Sequence, residues 1–151
     1  MTEAPIRIEF LSGELEVRRA LAQLWQRLGE RAVAEEDWGT VQIVVGEVLN
    51  NVVEHAYGAD AQGEIILECL GENSAKGPVL DFCVRDAGRE MPGLRLPKGN
   101  PPDLECGFDE LPEGGFGWFL VRSLVTGLQY RRESGGNELR FRIALGPATN
   151  A

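Results

Sequence analysis

The sequence predicts an α+β domain: a two-layer sandwich with a mixed, mostly antiparallel sheet and helices on one face. Three observations carry this. Strand-like runs come in pairs and are not interleaved one-for-one with helices, which argues for segregated layers. The chain has 151 residues and is 43% hydrophobic, so residues 1–151 suit one domain with a real core. Charged residues make up 26%, and no low-complexity tract or internal repeat interrupts the pattern.

The elements follow in order. "PIRIEFL", residues 5–11, alternates and is β-rich, as a first strand does. Ser12 offers an N-cap for a helix over about 13–34, with Leu15, Leu21, Leu24, Trp25 and Leu28 at helical spacing. Asp37 can cap a second helix that runs to about Tyr57 and stops at Gly58. "EIILECL" and "VLDFCVRD" form a hairpin around the turn chemistry of "GENSAKGP". Residues 87–115 hold five of the eight prolines and have little periodicity, a length that points to a functional lid. Then "FGWFLVRSLV" is helical, "GLQYRRES" a strand, "GGN" a turn and "ELRFRIAL" a last strand. The predicted order is β, α, α, β, β, lid, α, β, β.

Composition narrows the partners. Fifteen basic against 24 acidic residues give a formal charge of −9, which disfavours direct nucleic-acid binding because phosphate contacts need clustered Lys and Arg. A protein partner fits better. No signal-peptide pattern or long apolar run is present, so a cytoplasmic protein without membrane insertion is expected. Cys69, Cys83 and Cys106 match neither a disulfide framework nor a zinc pattern and are expected as reduced thiols, two of them in strands.

Three motifs carry possible chemistry. On the second helix, Glu47, Asn51 and His55 recur every four residues. At about 100° per residue His55 falls inside the apolar arc of Val41, Val44, Val45, Val48 and Val52, with Asn51 and Glu47 on its margin. Buried polar groups need partners: these are either satisfied core polars, or a hard-oxygen set suited to Mg²⁺ with a carboxylate able to activate a nucleophile. Gly114, Gly115 and Gly117 precede a helix whose N-terminal N–H groups can face a phosphate, although the spacing is neither a P-loop nor a dinucleotide motif. Asp86 ends a strand before Ala87-Gly88; it is either a turn former or an acceptor for an exocyclic amine beside a glycine that admits a flat base.

Together, E-x-x-x-N on a helix, D-x-G after a strand, a long lid and a G-G-x-G loop opening a helix resemble the nucleotide site of the GHKL (histidine-kinase-like) ATPase superfamily. Within it, "GEVLNNVVEHAYG", "VRDAGREMP", "LPEGGFGWFLVRSLV" and "YRRESGGNELRF" are most similar to the bacterial anti-sigma-factor serine/threonine-protein kinases of partner-switching systems. The resemblance implies ATP/ADP and Mg²⁺ as cofactors. It implies Glu47 as general base, Asn51 as metal ligand, Asp86 as adenine contact, Gly88 and Met91 as pocket formers and His55 as a supporting residue. Gly114, Gly115, Phe116 and Gly117 would form the phosphate loop. As partners it implies a sigma factor and a STAS-domain anti-anti-sigma factor phosphorylated on serine, with a homodimer as the assembly.

Two departures bear on activity. Glu90 replaces the second glycine of D-x-G-x-G. Glu113 stands where some of these kinases carry an arginine, and a carboxylate cannot stabilise developing negative charge, so the alternative is a nucleotide-binding partner module without efficient transfer. Sensor histidine kinases share the fold but usually carry a basic residue where this chain has Glu54, and a helix pair bearing a phospho-accepting histidine is not expected.

Overall fold

In the computed structural model, the described residues are 4–31, 33–58, 62–94, 96 and 116–146, with Phe116 described through its backbone. They run β1 (Ile6–Leu11), α1 (Glu14–Gly29), α2 (Glu35–Asn51) continued by a π-helical turn (Val52–Tyr57), β2 (Glu64–Ser74) and β3 (Gly77–Asp86). A 3₁₀ turn (Pro92–Leu94), α3 (Phe116–Leu124), β4 (Thr126–Glu133) and β5 (Gly136–Ala144) follow. The five strands form one sheet in the order β1-β2-β3-β5-β4, and all four pairings are antiparallel.

Period-2 alternation decides which sheet face is buried. Ile6 and Ile8, Ile65, Leu67 and Cys69, Leu80, Phe82 and Val84, and Leu139, Phe141 and Ile143 all point inward. Phe82 lies directly opposite Phe141, and their rings stack at 5.2 Å between centroids. Against this face α1 sets Val17, Ala20, Leu24 and Leu28, α2 sets Val41, Val44, Val45, Val48 and Leu49, and α3 sets Trp118 and Val121. Burying each such large side chain stabilises the fold by roughly 1.5–3 kcal/mol. The other face is charged: Arg85 joins Glu68 and, at 3.2 Å, Glu138, while Arg140 meets Glu138 at 2.8 Å and Arg142 meets Asp81 at 3.4 Å. Such exposed pairs mainly keep the face soluble.

Several local expectations are corrected. Gly13, not a side-chain cap, precedes α1; the Ser12 hydroxyl instead accepts from the Gly63 N–H at 3.1 Å, stapling β1 to β2. Leu15 is 55% exposed because α1 rests its Val17–Leu24 stripe on the sheet. Ala34 precedes α2, with Asp37 inside its first turn; Asp37 accepts from the Gly146 N–H at 3.0 Å and ties down the chain after β5. "GENS" and "GP" belong to strands, which leaves only Ala75-Lys76 as the turn between β2 and β3. Cys69 and Cys83 are buried free thiols in strands as expected, with burial pushing Cys69 up to about 12. Cys106 lies outside the described residues, as do lid positions 95 and 97–115. No described helix is long and apolar enough to cross a membrane.

Candidate functional site

α2 carries Glu47 and Asn51 one turn apart at the margin of its buried valine face. Asn51 is 8% exposed. Its Nδ2 donates to the Glu47 carbonyl at 2.8 Å and reaches Glu47 Oε2 at 3.5 Å, while among the described residues its Oδ1 accepts no hydrogen bond. The bond to the preceding turn ties the nitrogen side of the amide to α2, and Asn51 lines the cleft. Glu47 itself is half-buried.

α3 closes on that carboxylate. A Cβ built on Gly117 would lie 2.8 Å from Glu47 Cδ and closer still to Oε2. Glycine therefore permits the first turn of α3 to lie against the Glu47 carboxylate, near the C-terminal end of α2.

The second close approach is at Gly88. A Cβ there would lie 2.6 Å from the Ala56 carbonyl carbon and 2.7 Å from Ala56 Cβ, and the neighbouring Arg89 N–H donates to Ala56 O at 2.8 Å. The segment after β3 thus lies against the π turn that ends α2. Asp86 sits at this junction, its Oδ1 accepting from the Gly88 N–H at 2.8 Å and from Asn137 Nδ2 at 2.8 Å. Burial pushes the Asp86 carboxyl above its ordinary value, opposed by these two hydrogen bonds and by the positive charge of Arg132.

Asp86, Asn51, His55, Met91, Trp118 and Asn137 all line one cleft with Val48, Val52, Ala56 and Leu139 as apolar wall. Its enclosed part is about 30 Å³, whereas the space including the open mouth is about 400 Å³. The first is the room for one water, so a ligand of nucleoside size would occupy the mouth and displace the flexible Met91 side chain.

Comparison with known proteins gives the family. Residues 11–143 match the model of the histidine kinase-like ATPase domain. The chain belongs to that family. It is 29% identical over 120 residues to the serine-protein kinases RsbW of Bacillus thuringiensis (strain Al Hakam) and Bacillus anthracis, covering 79% of this chain and 70% of theirs. A crystal structure of the RsbU and RsbW domains of a Mycobacterium tuberculosis protein superposes with a TM-score of 0.61 at 20% identity, over 97% of this chain and 34% of that one. This chain therefore spans about a third of that longer protein, and the likeness is one of fold.

In this histidine kinase-like ATPase domain Asn51 and Asp86 line one cleft, with Gly117 packed against Glu47 and Gly88 against Ala56, although these residues come from three elements separated in sequence. Gly114 and Gly115 lie outside the described residues, as does the Phe116 side chain. His55 differs from expectation. Its side chain is 56% exposed with Nε2 3.9 Å from Glu54 Oε2, because the π turn from Val52 widens the helix and breaks the 3.6-residue phase that would have carried it into the apolar arc. Ala56 takes the buried position instead, and His55 stands at the cleft mouth.

Four residues that hold the segments around the cleft were not singled out from the sequence. Tyr57 bridges strands through its hydroxyl, donating to Glu64 O at 2.7 Å and accepting from the Ala87 N–H at 2.8 Å. Tyr130, Arg132 and Asn137 come from the β4–β5 hairpin and bind the segment after Asp86. Only the alternation of β4 and β5, which puts all three on the inward face, hinted at them.

No group of three or more His, Cys, Asp or Glu able to hold a metal occurs among the described residues. The donor set nevertheless fits Mg²⁺ as nucleotide enzymes hold it, through one or two protein oxygens with phosphates and water completing the shell. Asn51, which lines the cleft and whose Oδ1 accepts no hydrogen bond among the described residues, would supply such an oxygen.

Proposed function

We propose that this chain is an ATP-dependent protein serine/threonine kinase that also acts as an anti-sigma factor. It binds a sigma factor and phosphorylates a serine of a STAS-domain antagonist. Similarity to serine-protein kinases RsbW supports the reaction class, and one observation carries the site: the close approach of Gly117 to the Glu47 carboxylate. That contact joins a candidate base, the neighbouring Asn51 and a helix N-terminus in the arrangement that hydroxyl activation beside a polyphosphate needs. A homodimer and a cytoplasmic setting belong to the same reading.

In this mechanism Asp86 accepts a hydrogen bond from the amino group of adenine, and Met91 and the valine wall cover the base. The N–H groups of the first turn of α3 donate to phosphate oxygens. Asn51 would hold Mg²⁺, which when bound neutralises phosphate charge. Glu47 takes the proton of the partner's serine hydroxyl as its oxygen bonds to the γ-phosphorus. The bond from that phosphorus to the bridging oxygen breaks and ADP leaves. Positioning and charge stabilisation dominate such a transfer.

A second reading is a nucleotide-binding partner module without efficient transfer, and Glu113 favours it because it adds negative charge near the phosphate loop. Incubation with labelled ATP, Mg²⁺ and a STAS-domain protein encoded beside this chain separates the two. The kinase reading expects label on the partner's serine, lowered about 100-fold or more by Glu47→Ala with ATP affinity retained. Tight ATP binding with no transfer selects the module; absence of ATP binding sinks both.

A further inference from the structure

Asn137 is the second residue of β5, pairs with Arg132 of β4 just after the Ser134-Gly135 turn, and is 8% exposed. All its side-chain hydrogen-bonding capacity is in use. Nδ2 donates to Asp86 Oδ1 and to Arg89 O, each at 2.8 Å. Oδ1 accepts from the Tyr130 hydroxyl and, at 3.1 Å, from Arg132. An amide with two donors and two lone pairs has nothing left for a ligand. Whatever Asn137 does in the cleft, it does through its neighbours.

Those neighbours are bound at successive points. Arg132 donates to Gly88 O at 2.6 Å, and the Tyr130 hydroxyl accepts from the Met91 N–H at 3.0 Å. Three side chains of one hairpin thus hold the Asp86 carboxylate, two carbonyls and one N–H of the segment from 86 to 91. With Oδ1 of Asp86 occupied by Asn137 and the Gly88 N–H, Oδ2 is the oxygen that remains to meet a ligand, and it can only accept.

We propose that Asn137 is a positioning residue that sets the Asp86 carboxylate, so that discrimination between a 6-amino and a 6-oxo purine nucleotide passes through the β4–β5 hairpin. This rests on the reading of Asp86 as the base contact. An acceptor-only oxygen meets the amino group of a 6-amino purine and opposes the oxygen of a 6-oxo purine. Without Asn137 the carboxylate keeps only the Gly88 N–H on Oδ1, and the geometry that separates the two is loosened.

The test titrates the full chain with ATP and with ITP by calorimetry, for wild type, Asn137→Ala, Arg132→Met and Asp86→Ala, with a thermal melt of each. Asn137→Ala should lower ATP affinity about tenfold and leave ITP affinity unchanged. Equal loss for both nucleotides, or a preserved ATP-to-ITP ratio, overturns the proposal, since general loosening of the fold would weaken both. If Asn137→Ala does not fold, Arg132→Met decides: an ATP-selective loss of about threefold supports the clamp, and an unchanged ratio rejects it. Asp86→Ala separates the layers. If it binds ATP as wild type does, the base-contact reading fails; if it loses discrimination while Asn137→Ala keeps it, only the positioning role fails.

Discussion

The two ends of the cleft are built differently. At one end Glu47 and Asn51 sit one turn apart on a single helix, oriented chiefly by the bond from Asn51 Nδ2 to the Glu47 carbonyl. At the other end Asp86 and the residues after it are held by the π turn, by Tyr57 and by three side chains of the last hairpin. The first is a local arrangement that an α-helix makes on its own. The second exists only once the sheet has closed. Under the proposed kinase reading, the base end around Asp86 is the one fixed by contacts between distant segments, and the acidic end around Glu47 is the one set by a single helix.

Substitutions at the two glycines test that contrast most strongly. Gly117→Ala would place a methyl group against the Glu47 carboxylate, and a flexible glutamate can swing aside. Stability should change by less than about 1 kcal/mol while transfer to the STAS partner falls about 100-fold. A variant that melts far below wild type would show that the acidic end is as rigid as the base end. Gly88→Ala meets backbone at Ala56, which cannot yield. Here a loss of about 1–3 kcal/mol in denaturant titration should accompany weakened ATP binding. Unchanged stability would mean the segment after Asp86 is looser than its hydrogen bonds suggest.

Tyr57→Phe probes the base end more gently. It removes the hydroxyl shared by Glu64 O and the Ala87 N–H, so unfolding should cost about 0.5–1.5 kcal/mol less, with faster hydrogen exchange at Ala87. Unaltered exchange at that amide would count against the bridge. The mildest handle is pH. Burial raises the Asp86 carboxyl, so the folded chain binds its proton more tightly than the unfolded chain does. That stabilising contribution is present at low pH and fades as pH rises through the folded value. Nucleotide binding runs the other way, since only the ionised group accepts from an amine. ATP affinity should therefore decline on acidification sooner than an ordinary aspartate would dictate, and Asn137→Ala, which removes a donor that opposes the rise, should move the decline further toward neutral pH. A flat profile down to the ordinary aspartate range would contradict the buried placement.

Legibility followed sequence distance. Glu47 and Asn51 could be picked out because helical periodicity puts them together, and Asp86-Ala87-Gly88 because a strand end and a glycine mark a turn. Asn137 could not, since its bond to Asp86 spans 51 positions and nothing in "SGGNELRF" distinguishes a turn asparagine from a site residue. His55 was misplaced for a different reason: periodicity assumes an unbroken α-helix, and the turn Val52–Tyr57 is π.

The amino-acid order alone determined the layered α+β class, the strand and helix sequence, and the identity of the acidic, amide and glycine motifs, because these depend on short-range periodicity and turn chemistry. Tertiary structure decided which motifs meet, through two glycines pressed against Glu47 and Ala56, and it recruited Tyr57, Tyr130, Arg132 and Asn137. Contacts across a closed sheet depend on register and packing between distant segments, and no local pattern encodes those.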